Sequence, residues 1–308
     1  MNWRLFIISV CLFFLFTACD SVEKKVTDTT VYKREHISLV LPELPNELTF
    51  FAEKINLEDE DLKERLDREI LSFTYQPANT IILLKRANRY FPKIESVLKK
   101  NKVPHDFKYL CAIESNLQQA ISPAGACGMW QLMIPTARQY GLIVNAEVDE
   151  RFHLEKSTQC ACDFILWARR FSDNWLAACA SYNRGLEGVH KDMEEQYVSH
   201  YFDAELNNET ARYVFRIMAF KLIYENPKDY GFVIPSSQLY KPFQTTKFHV
   251  TESILDLKKW AISKGINYKI LKKLNPWLTG NQLTLNPKNY CIDLPSKNTK
   301  LKNYNAYF

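Results

Sequence analysis

Between Leu57 and Tyr224 apolar residues recur at helical spacing and rarely alternate with polar ones, so this part of the chain reads as mainly α. Leu57, Leu62, Leu66, Ile70 and Phe73 have acids and bases between them, which predicts a helical arm packed on a larger domain. A second helical pattern covers Thr80 to Tyr90. Pro92 opens another through Ile94, Val97 and Leu98, and Pro104 opens the next. In that helix Phe107, Leu110 and Cys111 share a face, and Glu114 continues the stripe. Tyr109, Ala112 and Ile113 make the other side apolar too, so the whole helix is expected to be buried. Farther on, Trp175, Ala178, Cys179 and Tyr182 share a stripe that Gly185 can end. Glu209 and Tyr213 lie on one face with Ile217, Phe220 and Tyr224.

The two ends of the chain read differently. Arg4 precedes an uncharged run from Leu5 to Phe16, followed by Thr17, Ala18 and Cys19, which is the pattern of a signal peptide. As helix, that run would span about 18 Å, short of a bilayer core of about 30 Å. A polar stretch without periodicity follows, and Pro42 and Pro45 punctuate it. After Pro235-Ser236-Ser237 and Pro242, residues 247-295 read as strand, helix, helix, strand. The expected divisions are a leader at 1-18, a tether at 19-49, a helical arm at 50-84, a helical domain at 85-234, and a linker with a small βααβ module at 235-308.

Composition narrows the function classes. With 308 residues, 46% hydrophobic and 24% charged, the chain can bury a sizeable core, and only 8 glycines exclude a collagen-like rod. A net charge of +5 suits an acidic polymer, but lysines alternate with acids nearly everywhere, so a nucleic-acid partner is not expected. Export makes disulfides chemically possible among Cys111, Cys127, Cys160, Cys162, Cys179 and Cys291. Several of them fall on apolar stripes, where a free thiol behaves as a small hydrophobe. Cys160 and Cys162 lie about 200° apart around a helix and cannot readily grip one ion, so no metal is expected.

Glu114 is the chief candidate for chemistry. A carboxylate on an apolar stripe has its pKa raised by burial and can act as a general acid near neutral pH. The stripe alone equally fits a glutamate bonded to the backbone at a helix end. The glycines of the Gly125 to Gly128 loop permit left-handed backbone and close approach of a ligand, or simply a tight turn around Trp130. Gln131 can donate to and accept from a sugar amide. Tyr182 fits either a core or a cleft, and Glu209 either a helix cap or a cleft wall.

Residues 104-142, PHDFKYLCAIESNLQQAISPAGACGMWQLMIPTARQYGL, resemble the signature of the goose-lysozyme-like lytic transglycosylases, glycoside hydrolase family 23. Glu114-Ser115 matches the family's catalytic Glu-Ser, Ser122 to Gly125 its turn, and Gly128-Met129-Trp130-Gln131 the block before a Pro-Thr-Ala helix. Asp149-Glu150-Arg151 resembles a block of one membrane-bound branch. Ser181-Tyr182-Asn183-Arg184-Gly185 matches Ala-Tyr-Asn-x-Gly with serine for alanine, and Glu209 to Val214 matches Glu-Thr-x-x-Tyr-Val. The likeness spans roughly residues 85 to 232. The C-terminal segment resembles a LysM carbohydrate-binding module, most clearly in ILKKLNP, although Glu252-Ser253 replaces the usual Gly-Asp.

The resemblance implies a lysozyme-like helical catalytic domain that cuts the β-1,4 bond between N-acetylmuramic acid and N-acetylglucosamine in peptidoglycan. Glu114 would act as the single acid and base, leaving 1,6-anhydro ends. Ser115, Met129, Gln131, Tyr182, Asn183, Glu209 and Tyr213 would contact the glycan. No cofactor is implied. Thr17-Ala18-Cys19 resembles a lipobox, which makes Cys19 a lipidation site and the protein a periplasm-facing lipoprotein, with the outer membrane favoured over the inner. A hydrolase of goose-lysozyme type would need a second acid, for which Asp149, Glu150 and Glu209 are the candidates. A non-catalytic glycan-binding lipoprotein is the more distant alternative.

Overall fold

The structure is a computed structural model that describes residues 41–172, 174–285 and 290–302. The leader, Cys19 and most of the tether lie outside the described residues. At the tether's end a hairpin pairs β1 (Glu47–Phe50) with β2 (Glu53–Asn56), antiparallel, where neither a strand nor a turn is evident in the sequence. Its two turn residues, Phe51 and Ala52, both have left-handed backbone, which costs roughly 1–2 kcal/mol per residue. The Phe51 ring compensates by stacking on Phe107 at 4.3 Å in full burial, worth about 1.5–3 kcal/mol. Its amide donates to Asp106 Oδ2 at 2.7 Å.

Helix α1 (Glu60–Thr74) starts at Asp59, whose carboxylate accepts from the Leu62 amide. It buries Leu66 and Ile70 against α8 (Asn208–Glu225), as the spacing of the arm predicts. The two patterns expected at Thr80 to Tyr90 and from Pro92 onward are instead one helix, α2 (Pro77–Lys100), with Pro92 inside it. Pro92 faces solvent, while Phe91, Ile94 and Leu98 are buried on the continuing stripe. An internal proline costs about 3 kcal/mol, and three buried side chains at about 1.5–3 kcal/mol each outweigh it.

Helix α3 (Phe107–Ser115) is the most enclosed element. Seven of its nine residues are buried, including both apolar faces anticipated from the sequence, and it packs against α2 and α8. A short α4 (Ile134–Gln139) follows the glycine loop. Helices α5 (Leu154–Ser172), α6 (Trp175–Arg184) and α7 (Leu186–Glu195) complete this part, with α6 packed on α5, α7 and α8. Asn174 caps α6 and Gly185 ends it. All six described cysteines are free thiols, and every one but Cys291 is buried.

The C-terminal part is strand, helix, helix, strand: β3 (Thr245–His249), α9 (Leu257–Ser263), α10 (Tyr268–Leu274) and β4 (Cys291–Pro295). The strands pair antiparallel with Phe248 opposite Ile292. Its core is shared with the connecting loops of the preceding part, because Cys127, Val148 and Phe152 pack in one cluster with Leu257, Leu271 and Ile292. Glu147 marks the seam. Its backbone carbonyl accepts from the Thr279 and Gly280 amides, both at 3.0 Å, and its carboxylate accepts from the Thr284 amide at 2.7 Å. A Cβ on Gly280 would lie 2.8 Å from Glu147 Cα, so only glycine permits this approach. Among the described residues no helix is long and apolar enough to cross a membrane.

Candidate active site

The helix carrying Glu114 ends abruptly one residue later. Asn116 and Leu117 both adopt left-handed backbone, with φ of 51° and 53°, and Leu117 is nonetheless buried. This strained corner turns the chain away directly after Glu114 and leaves that residue half-buried at the helix end rather than under another turn of helix. Ser115 is buried and engaged elsewhere. Its hydroxyl donates to the Met129 carbonyl at 2.8 Å, and the Cys111 thiol reaches the same oxygen at 3.5 Å, so both dock the glycine loop onto α3.

The loop is clasped from behind by the Asp149-Glu150-Arg151 block. Arg151 Nη1 donates to the carbonyls of Gly125 at 3.0 Å and Leu132 at 3.2 Å, while Nη2 pairs with Asp149 Oδ2 at 2.7 Å. Gly128 has φ of 80°, and a Cβ there would meet the Arg151 carbonyl oxygen at 2.1 Å. Glu150 is buried, accepting from the Ile143 amide at 2.8 Å and from Lys156. Asp149 and Glu150 are therefore consumed in structure, and neither is poised as a second catalytic acid. Gln131 also turns inward. From a left-handed backbone its amide nitrogen donates to the carbonyls of Gly128 at 2.7 Å and Ala120 at 3.2 Å. The amide nitrogen that could donate to a sugar amide instead braces the loop.

Two helices bring tyrosines toward Glu114. From α8, the Tyr213 hydroxyl donates to Glu114 Oε1 in a short hydrogen bond, and among the described residues nothing bonds Oε2. From α6, the Tyr182 hydroxyl donates to the Trp130 carbonyl at 2.7 Å, and Trp130 in turn donates to Thr158 at 2.8 Å. Tyr182 lies near enough that Glu114's charge adds to the burial that pushes its phenol well up. Burial likewise raises the thiols of Cys111 and Cys179, with Glu114's charge adding to each, so the carboxyl sits among neutral, weakly polar groups.

These surroundings set the proton affinity of Glu114. Desolvation raises its pKa from 4.5 to about 7, against the lowering effects of the Tyr213 hydrogen bond and the Arg216 charge; Glu209 adds a smaller push upward. Burial thus outweighs a cation that the sequence reading did not place near the site. Arg216 lies three residues beyond Tyr213 on α8, and that spacing was the available signal. Glu209 does not cap α8, because Asn207 does, accepting from the Thr210 amide at 3.0 Å. Glu209 is exposed and accepts from Asn183 Nδ2 at 3.2 Å, while Asn183 Oδ1 accepts from Thr210 at 3.0 Å. Among the described residues no group of three or more His, Cys, Asp or Glu side chains is gathered to hold a metal ion.

Two regions of the chain match known families. Residues 92–203 match the family profile described as Transglycosylase SLT domain, and residues 246–298 match the Soluble lytic transglycosylase C-terminal LysM-like domain. The chain is 26% identical over 246 residues to the Membrane-bound lytic murein transglycosylase D of Escherichia coli strain K12, covering 78% of this chain and 53% of that protein. The protein of the same name from Escherichia coli O6:H1 gives the same identity over the same shares. The chain thus spans about half the length of the curated relatives it matches.

Proposed function

We propose that this chain, which carries an SLT transglycosylase domain and a LysM-like domain, is a peptidoglycan lytic transglycosylase with Glu114 as its only proton-transfer group. The observation that carries the reading is a desolvated carboxyl of pKa about 7 with one oxygen held by Tyr213 and the other unbonded among the described residues. Near neutral pH such a group exists in both protonation states. It can therefore give a proton in one half of a reaction and take one in the other.

In the first half, Glu114 protonates the oxygen linking N-acetylmuramic acid to N-acetylglucosamine. The C1–O bond breaks while the muramic acid acetamido oxygen bonds to C1. In the second half, the Glu114 carboxylate takes the proton of the same sugar's C6 hydroxyl, and O6 displaces the acetamido oxygen at C1. The 1,6-anhydro ring closes without water. Held reactants gain effective molarities of about 10⁵–10⁸ M, so an internal hydroxyl outcompetes an unguided water. Tyr213 holds the carboxyl in one orientation through both halves and partly offsets the effect of burial.

Hydrolysis would need a second carboxylate, at about 5–5.5 Å as nucleophile or about 6.5–9.5 Å as water base. Asp149 and Glu150 are tied to Arg151 and Lys156, and Glu209 is engaged by Asn183, which favours the anhydro route. Mass spectrometry of products from purified sacculi tests the proposal. Anhydro-muropeptides support it, and reducing ends would assign a hydrolase.

The anchor and the module complete the reading. Lipidation of Cys19, as the Thr17-Ala18-Cys19 sequence suggests, would hold the enzyme at the envelope facing the periplasm, with the outer membrane favoured over the inner. Incorporation of labelled palmitate checks this. The LysM-like module would add glycan affinity beside the cleft, and its shared core would fix that affinity in one orientation.

A further inference from the structure

An opening lined by residues of α1, α2 and α8 and by Asn116 lies near Glu114, within reach of its charge through Arg216, and its chemistry differs from that of a sugar-binding cleft. A cavity of about 210 Å³ lies among Gln76, Asn79, Thr80, Asn116, Arg212 and Arg216. Arg212 is committed, since its guanidinium donates to Glu69 Oε1 at 2.7 Å and Oε2 at 3.1 Å. The Thr80 hydroxyl is committed as well, to the Phe73 carbonyl at 2.6 Å. Arg216 is not. It is exposed, and among the described residues it makes no hydrogen bond or ion pair, although its charge reaches Glu114. The opening therefore presents a free planar cation beside neutral amides, with its one acid, Glu69, already neutralised by Arg212 and Arg68.

We propose that this opening is an anion subsite in which Arg216 pairs with a carboxylate of the peptide stem on the muramic acid being cleaved. The proposal rests on the peptidoglycan reading above. A neutral sugar hydroxyl has no need of a free guanidinium, whereas a carboxylate matches its fork with two parallel hydrogen bonds. The size agrees, because pockets for whole drug-sized ligands run about 300–1,000 Å³ and this one is smaller, suited to the end of one amino-acid residue. The position agrees too. Muramic acid contributes the C1 that reacts at Glu114 and also bears the stem, so the stem leaves the backbone within one sugar of that carboxyl. Asn116, two residues after Glu114, forms one wall of the opening. Engagement of the stem would thus register the muramic acid, rather than the glucosamine, on the catalytic group.

The test uses the full chain with Glu114→Gln, so that binding is read without turnover. Its affinity is measured for soluble glycan strands carrying peptide stems and for the same strands stripped by an amidase. Stem-bearing strands should bind about 10-fold more tightly, the worth of one charge-assisted hydrogen-bonded pair. Adding Arg216→Gln should bring the two affinities together, and Arg216→Lys should restore only part of the preference, because lysine keeps the charge but loses the fork. A preference unchanged by Arg216→Gln overturns the subsite, as does equal loss of affinity for both strands. Failure of the wild type to cleave either strand, with the stem preference intact, would strike at the activity alone.

Discussion

The Tyr213 hydroxyl donates to Glu114 Oε1 across 99 residues of sequence, tying the middle of α8 to the last turn of α3. The bond favours the ionised carboxyl, while burial favours the neutral one, and their balance places the pKa at about 7. Tyr213→Phe removes the first influence and leaves the second. The Glu114 pKa should rise further, the pH optimum of glycan cleavage should move to higher pH, and turnover at pH 7 should fall by about 10-fold. A pH–rate profile that stays in place would show that the phenol does not act on the carboxyl.

Glu114 also makes stability depend on pH. Its folded pKa lies above the unfolded value of about 4.3, so the folded state gains fully from the neutral carboxyl below that value and loses the gain as pH rises through about 7. Glu114→Gln cannot ionise. Relative to wild type it should gain stability between about pH 4.3 and 7, by on the order of 2–3 kcal/mol at the top of that range. Urea unfolding of both proteins at pH 4.5 and pH 8 checks the difference, and a constant offset would contradict a buried ionisable group.

Gly128→Ala should damage the site through its scaffold. The added methyl meets the Arg151 carbonyl oxygen at 2.1 Å, from a backbone with φ of 80°. Overpacking costs typically about 1–3 kcal/mol and left-handed alanine about 1–2 kcal/mol. A drop in unfolding free energy of that combined size is expected, with Trp130 fluorescence shifted as its carbonyl and Tyr182 part.

Glu147 should govern how the C-terminal module sits. Its pKa is lowered by hydrogen bonds from Gln282 and Thr284 across the seam. A depressed folded pKa contributes stability above the unfolded value of about 4.3 and loses it as pH falls through the folded one. Glu147→Gln should therefore loosen the module at neutral pH, and wild type should show the same loosening only in more acidic solution. Proteolysis in the linker near Leu239 reads this directly. The shared core adds a further consequence, that a chain ending near Gly231 exposes Cys127, Val148 and Phe152 and loses stability along with glycan affinity.

Much of the site was legible because its residues lie where two periodicities disagree. Glu114 interrupts an apolar stripe, and Tyr213 and Tyr182 put hydroxyls on core-facing ones, so helical spacing already marks these positions as unusual. Other features have no local signal. The hairpin turn at Phe51 and Ala52 lacks glycine or asparagine and is held by the ring of Phe107, fifty-odd residues away. Continuity of α2 through Pro92 is decided by the burial of Phe91, Ile94 and Leu98, which only the packed structure reveals. Gln131 closes the Gly-Met-Trp-Gln block, yet its amide turns toward Ala120 and Gly128, because a side chain's direction depends on a backbone angle that no spacing encodes. The seam at Glu147 and Gly280 is likewise a contact between segments each unremarkable alone.

The central claim is that one carboxyl, Glu114, performs both proton transfers. It is tested most directly by comparing wild type and Glu114→Gln for release of 1,6-anhydro-muropeptides from purified sacculi. Glutamine keeps the size and can still accept from Tyr213, but it can neither give nor take the proton. General acid–base assistance is worth typically about 10²- to 10⁴-fold, and a group serving both halves should lose at least the upper figure while the protein remains folded. Anhydro products from wild type and none above background from the mutant are the predicted result, and a Glu114→Gln enzyme that still releases them would contradict the account.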